Sequence, residues 1–291
     1  MRKVLIIGNK GNFGNFLEKS ILPSISDLLQ INLIKGCDID VEFNDMIETA
    51  SEFSDIIICI NLGNYHKTLK KIIPEFIRLE KPITFWLVPS LQYPSFVAIK
   101  EFDLKRHRKI DFVLLHPMYG PQSFSNSTFN SRTTFQTIVT YVTSKKTKIC
   151  LENVEKACQA KHNLSFQYQF TPESHDFEVA KTQGLVFAFA LTLLEHKKVA
   201  NEFQSRFPKQ FAAFLADKAL MSDFIALNIK ANEIFSEFKS MMSEYNNNQV
   251  TLEDYMQCYC RLNSIYNSNS KNEVKITTES YLTLTKSFCQ I

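Results

Sequence analysis

Three glycines, Gly8, Gly11 and Gly14, stand three residues apart, directly after an apolar run and directly before a stretch with helical spacing. Such a turn lets the backbone approach a pyrophosphate closely, and the helix behind it supplies N–H groups and a partial positive charge. Gly8, Asn9, Gly11, Asn12, Phe13 and Gly14 are therefore candidate cofactor-binding residues. In the usual GxGxxG fingerprint the first glycine falls at position 9, here Asn9, a residue type that enters left-handed backbone more readily than most. The competing reading is a tight strand-to-helix turn that binds nothing. Asp38 follows 24 residues after Gly14, at the end of a second apolar run. A carboxylate there hydrogen-bonds an adenosine ribose and repels a 2′-phosphate, which favours NAD over NADP. Lys35 is near enough to soften that preference, and the alternative is a solvated loop acid.

His116 stands in Leu115-His116-Pro117-Met118-Tyr119-Gly120-Pro121, a segment restrained by two prolines. A neutral imidazole can accept the proton that a hydride transfer leaves behind near pH 7, although a lone histidine is more often structural. His175-Asp176, with Gln183 further along, opens a long helical part. Ser174, His175 and Asp176 suit helix-start capping and the helix dipole equally well.

The elements that must position these groups follow from the hydropathy pattern. Strand-like runs at Lys3–Ile7, Ile31–Cys37, Asp55–Ile60, Ile83–Val88 and Ile110–Leu115 alternate with helical stretches, one of them at Tyr65–Arg78 and interrupted or ended by Pro74. That alternation implies a doubly wound α/β fold: a mostly parallel sheet with helices on both faces and ligands at the carboxyl ends of the strands. Gly8, Asp38, Asn61, Ser90 and His116 all fall at such ends, which makes Asn61 and Ser90 candidates too. Strands at Thr134–Val142 and Leu164–Phe170 flank a short helix at Leu151–Ala160. Beyond residue 170 the pattern is helical throughout, so the domains are read as 1–170 and 171–291.

The chain has 291 residues, 45% of them hydrophobic and 22% charged, with a formal charge of +3. This composition excludes a disordered or fibrous chain, and the charge is too weak to argue for nucleic acid. Twenty-five phenylalanines against one tryptophan supply ample core material. Seven cysteines lack a CxxC pair, and Cys258-x-Cys260 has no accompanying histidine pair, so no metal site is expected. No run of eighteen apolar residues spans a bilayer, and the N-terminus enters its first strand at Lys3 without a cleavable signal. A cytoplasmic protein with reduced thiols, no membrane partner, a small-molecule substrate and no fused domain at either end is the expectation.

The set Gly11-x-x-Gly14, Ile34-x-Gly36-x-Asp38, HPMYGP at 116–121 and His175-Asp176 through Gln183-Gly184-Leu185 resembles the prephenate and arogenate dehydrogenases of tyrosine biosynthesis. The likeness runs in order from Lys3 to about Asn228. It implies a Rossmann-type NAD(P)-binding domain followed by an all-helical dimerisation domain, and hence a homodimer. It implies NAD-dependent oxidative decarboxylation of prephenate or a related cyclohexadienyl acid. His116 would accept the substrate hydroxyl's hydrogen bond and its proton, Ser90 would orient His116, and His175 and Gln183 would face the substrate.

Three departures accompany the resemblance. The family's forked arginine, which grips a substrate carboxylate, falls on Ala213, leaving Arg206 as the candidate substitute. A second histidine expected after Gln183 is replaced near Phe187, and a lysine after the strand-four serine is replaced by Leu91-Gln92. Loss of a buried bidentate clamp costs about 1.5–3 kcal/mol, roughly tenfold to more than a hundredfold in binding. The chain then either acts on a related acid in a rearranged pocket, or binds dinucleotide and dimerises without turnover. A β-hydroxyacid-type dehydrogenase would need a catalytic lysine, for which Lys181 is the nearby candidate.

Overall fold

The computed structural model describes residues 2–38, 43–102, 109–121, 135–216, 218–244 and 250–267. The apolar runs become β1 (Arg2–Ile7), β2 (Ile31–Cys37), β3 (Asp55–Ile58), β4 (Ile83–Leu87), β5 (Ile110–Pro117), β6 (Phe135–Val142) and β7 (Leu164–Gln167). They form one sheet in the order β2-β1-β3-β4-β5-β6-β7. β1 to β5 are parallel, β6 runs antiparallel to β5, and β7 is parallel to β6. The fold is thus the doubly wound, mostly parallel sheet that the hydropathy pattern implies.

Period-two alternation sends each strand's side chains to two different cores. Leu5, Ile7, Ile56, Ile58, Phe85, Leu87, Phe112 and Leu114 pack in one cluster. That cluster also holds residues of α4 (Leu62–Arg78) and α5 (Tyr93–Glu101), beside α3 (Phe43–Ala50). Val4, Ile6, Ile57, Trp86, Val113 and Val139 pack in the other. It includes α1 (Asn12–Phe16), a π-helical turn (Leu17–Ile21), α2 (Leu22–Leu29) and α6 (Lys145–His162). Both faces are covered, so the strands read as continuous apolar runs.

Two elements differ from the sequence expectation. Pro74 lies inside α4, which continues to Arg78. Proline removes one helical hydrogen bond, but Ile72, Ile73 and Phe76 around it are fully buried, and that burial holds the last turn in place. α6 begins at Lys145 and not near Leu151, because Ser144 caps it by accepting from Thr147 N–H at 3.2 Å. The exposed lysines of that first turn carry no apolar period by which to see it.

At the amino ends of the strands, Asp55 accepts from Arg2 Nε (3.0 Å), Trp86 Nε1 (2.9 Å) and Ser54 Oγ (2.8 Å). This buried carboxylate has its acceptor capacity filled within the fold, at the edge opposite the glycine turn.

The chain divides into two compact units between His175 and Asp176. The division falls inside α7 (Pro172–Val179), which continues through a π-helical turn (Ala180–Gly184) into α8 (Leu185–Glu195). Pro172–Glu195 is long and apolar enough, by length and composition, to cross a membrane. It escapes a count of consecutive apolar residues because polar ones interrupt it. In the second unit α8 is a core helix: Phe189 packs edge-on against Phe203, Phe238, Tyr255 and Tyr259. Around it stand α9 (Lys197–Arg206), α10 (Pro208–Ala216), α11 (Lys218–Leu227), α12 (Ile229–Ser243) and α13 (Leu252–Asn267). A Cβ on Gly184 would lie 2.9 Å from that of Ala231, so the glycine admits α12 at close range.

Candidate functional site

The strand order reverses between β1 and β3: the chain passes from β1 to β2 on one side and to β3 on the other. In open α/β sheets, ligands occupy the crevice at the carboxyl ends of the strands at such a switch point. The glycine turn lies there. Gly8 has φ +89°, and a Cβ on it would sit 2.3 Å from the Cys59 carbonyl oxygen at the end of β3. A Cβ on Gly14 would sit 2.2 Å from the Gly8 carbonyl oxygen. The first glycine therefore makes the turn and the last lets the helix close onto it. Gly11 is the N-cap of α1 and no side chain caps that end, nor does an acidic residue stand in the first turn. The helix terminus thus has no side-chain cap and is polarised for an anion. These features fit a dinucleotide's pyrophosphate.

The left-handed residue of the turn is Gly8, and the left-handed conformation open to Asn9 is not used. Asn9 instead turns its side chain onto Gly36 of β2 and donates from Nδ2 to Glu18 Oε2 at 3.0 Å. Asn12 is exposed, and the half-buried Phe13 ring packs against Phe16 and Tyr119, with centroids 6.1 and 6.2 Å away. Asp38 is half-buried after β2, and its Oδ2 lies 3.5 Å from Lys10 Nζ. Lys10, a residue the sequence reading passed over in favour of Lys35, is thus a cation at this carboxylate. Asn61 caps α4, its Oδ1 accepting from Asn64 N–H at 3.1 Å.

His116 lies within β5, which extends to Pro117, and is 8% exposed. Its Nδ1 is 3.0 Å from Nε2 of His175, itself 1% exposed. Burial, and secondarily His175, push the His116 pKa down to about 3, so its ring is neutral at physiological pH. One of the two facing nitrogens must carry the proton. If His116 donates from Nδ1, its Nε2 presents a lone pair; if His175 donates, Nε2 of His116 carries the hydrogen.

The helix-start chemistry weighed for 174–176 belongs to Thr171 and Ser174. Ser174 N–H donates to Thr171 Oγ1 at 3.1 Å, and Thr171 N–H donates to Ser174 Oγ at 2.9 Å, a reciprocal cap. His175 and Asp176 are buried one turn further on, so neither is the cap.

Ser90 is half-buried at the end of β4. Close by, Gln92 is fully buried: its Nε2 donates to the carbonyls of Pro89 (2.6 Å) and Leu115 (3.4 Å), and its Oε1 accepts from Thr140 Oγ1 (2.9 Å). It ties the loop after β4 to the residue before His116. Tyr65 similarly joins strand ends, donating to the Ile58 carbonyl and accepting from Val88 N–H. Neither residue carries a sequence signal, because each has partners that only the fold brings near: Leu115 and Thr140 for Gln92, Val88 for Tyr65.

In the second unit the candidates are differently engaged. Gln183 is half-buried in the π-helical turn. Arg206 pairs with Glu202 at 2.5 Å and with Glu253 at 3.3 Å. Lys181 pairs with Glu178 at 2.7 Å and lies over the Phe177 ring. Ala213 is exposed on α10.

No protein-family profile and no curated protein sequence matches the chain. Its architecture defines a class: a Rossmann-type α/β unit followed by helices. Among solved structures the fold is similar to those of prephenate dehydrogenases. The Aquifex aeolicus enzyme is 18% identical over 88% of this chain and 97% of its own, with a TM-score of 0.55. The same enzyme in complex with hydroxyphenyl propionate and NAD+ is 19% identical over 88% and 95%, with a TM-score of 0.54. A candidate prephenate dehydrogenase from Corynebacterium glutamicum is 15% identical over 84% and 80%, with a TM-score of 0.56.

Proposed function

We propose that the chain is an NAD-dependent dehydrogenase that oxidatively decarboxylates prephenate, arogenate or a related cyclohexadienyl acid. The observation that carries this reading is the buried, neutral His116, held by His175 on the same sheet edge that bears the glycine turn. The likeness in fold to an enzyme solved with NAD+ and hydroxyphenyl propionate supports the cofactor and the substrate class.

A bound dinucleotide supplies the hydride acceptor. The chain binds its pyrophosphate with the backbone of Gly11, Asn12, Phe13 and Gly14, and its ribose with Asp38. His116 donates from Nδ1 to His175, so its Nε2 lone pair accepts the substrate hydroxyl's hydrogen bond. As hydride leaves the hydroxyl carbon, the bond to the carboxylate breaks, its electron pair enters the ring and carbon dioxide departs. That sequence releases no net proton, so the hydroxyl needs polarising and not deprotonation. A weakly basic imidazole suffices, which suits the depressed pKa of His116 better than a full proton transfer does. Aromatisation drives the reaction, leaving the protein mainly the task of position. Ser90 and Gln92 then serve the loop beside His116, and His175 orients its ring. The helical unit is read as the dimerisation surface, which its exposed Leu215, Leu220 and Ile229 favour.

A second reading, a non-catalytic dinucleotide-binding dimer in the cytoplasm, is favoured by Ala213 and by the engagement of Arg206 with Glu202 and Glu253. The deciding experiment offers NAD with prephenate, arogenate and the amino-deoxy analogue, and follows NADH by absorbance. Turnover of one of them is the expected result. No turnover with NAD bound leaves the second reading, and failure to bind NAD removes both.

A further inference from the structure

The glycine turn is fastened to the end of β2 as well as to β3. Gly8 N–H donates to the Cys37 carbonyl at 2.8 Å, and Asn9 N–H approaches the same oxygen at 3.5 Å. Asn9 also lies so tightly on Gly36 that a Cβ there would come within 1.9 Å of its Nδ2, which is itself anchored on Glu18. Position 10 is thereby held beside position 38 by the fold. Lys10 Nζ reaches 3.5 Å from Asp38 Oδ2, with 66% of its own side chain exposed against 15% for the aspartate.

A carboxylate at the end of β2 selects against a 2′-phosphate by hydrogen-bonding the ribose hydroxyls and by repelling the added charge. A cation beside the carboxylate offsets much of that repulsion. The lysine ammonium is a compact charge on a flexible stem, able to turn from a carboxylate to a phosphate without rebuilding the turn.

Resting on the dinucleotide reading above, we infer that Lys10 sets the cofactor range. It pairs with Asp38 when the ribose carries a hydroxyl and with the phosphate when the ribose is 2′-phosphorylated, so the protein binds NADP(H) alongside NAD(H). Lys10 is a specificity-determining residue in this scheme, contributed by the glycine turn itself.

The test is titration of the full chain with NADH and NADPH, followed by nicotinamide fluorescence. The unaltered protein is expected to bind NADPH within about tenfold of NADH. Lys10→Gln is expected to weaken NADPH relative to NADH by about three- to tenfold, the scale of one exposed charge contact. Because Lys10 is mostly exposed, this variant should fold, and circular dichroism checks it. Asp38→Asn is expected to move the ratio the opposite way. An NADH preference beyond about tenfold in the unaltered protein, or a ratio that Lys10→Gln changes less than about threefold, overturns the role of Lys10 alone. If neither dinucleotide binds, the dinucleotide site itself is overturned and the inference falls with it.

Discussion

The glycine turn and the helical unit both offer groups for a ligand, and they do so with different materials. At the turn the groups are backbone atoms, placed by Gly8 at φ +89° and by two approaches too close for any Cβ. In the helical unit the candidates are long side chains: Arg206 already bridges Glu202 and Glu253, Lys181 reaches Glu178, and Ala213 brings no charge at all. Recognition by backbone needs only a few glycines and a strand order, so it tolerates wide change in the side chains around it. A guanidinium fork depends on one residue at one position and disappears with one substitution. The two halves of the functional reading therefore stand on unequal supports, and experiments can press on each separately.

The largest expected effect is on catalysis. His116→Asn should lower kcat by about 10²–10⁴ while leaving NADH affinity nearly unchanged, as steady-state rates and fluorescence titration would show. An equal loss of both would place the imidazole in the dinucleotide half of the comparison.

The second effect is on acid stability. The folded His116 pKa of about 3 lies below its ordinary 6.5, so between those values the unfolded chain takes up a proton that the folded one refuses. This contribution is complete above about pH 6.5 and is lost as pH falls toward 3, by on the order of 4 kcal/mol. Urea midpoints measured across that window should fall more steeply for the unaltered protein than for His116→Asn, the difference isolating this group from the carboxylates.

Third, Gly8→Ala should destabilise by about 2–4 kcal/mol and abolish dinucleotide binding, because the new Cβ meets the Cys59 carbonyl. Gly120→Ala, with nothing within 4 Å of its added carbon, should stay within about 0.5 kcal/mol in the same unfolding assay. The smallest effect is expected at Arg206→Ala. With its guanidinium on two surface glutamates, kcat/KM should change by less than about threefold. A tenfold rise in KM would return Arg206 to the substrate and narrow the contrast between the units.

Much of the α/β unit was legible beforehand. Its central strands are buried on both faces, so they appear as apolar runs such as Ile56–Cys59, and the punctuating glycines mark the one turn that needs them. What could not be read depended on partners far apart in sequence. Asn9 stood only as a residue tolerated in the turn, and its packing on Gly36 of the neighbouring strand was not visible. Gln92 looked like a missing lysine, yet it joins the ends of β4, β5 and β6. Pro74 looked like an interruption or an end of its helix, but neighbouring burial outweighs one lost hydrogen bond.

The amino-acid order alone thus determined the alternation of strands and helices, the location of the phosphate-type turn and the clustering of Asp38, Asn61, Ser90 and His116 at strand ends. Each of these follows from local periodicity or from the restricted backbone of glycine and proline. Tertiary structure alone decided that His116 faces His175, that Lys10 meets Asp38 and that Arg206 serves its own glutamates. The first turns on two side chains sharing a buried space, the others on which charges the folded surface brings together. Apart from the i,i+4 pair of Arg206 with Glu202, spacing along the chain does not encode such distances, because they depend on how the elements are ordered in space.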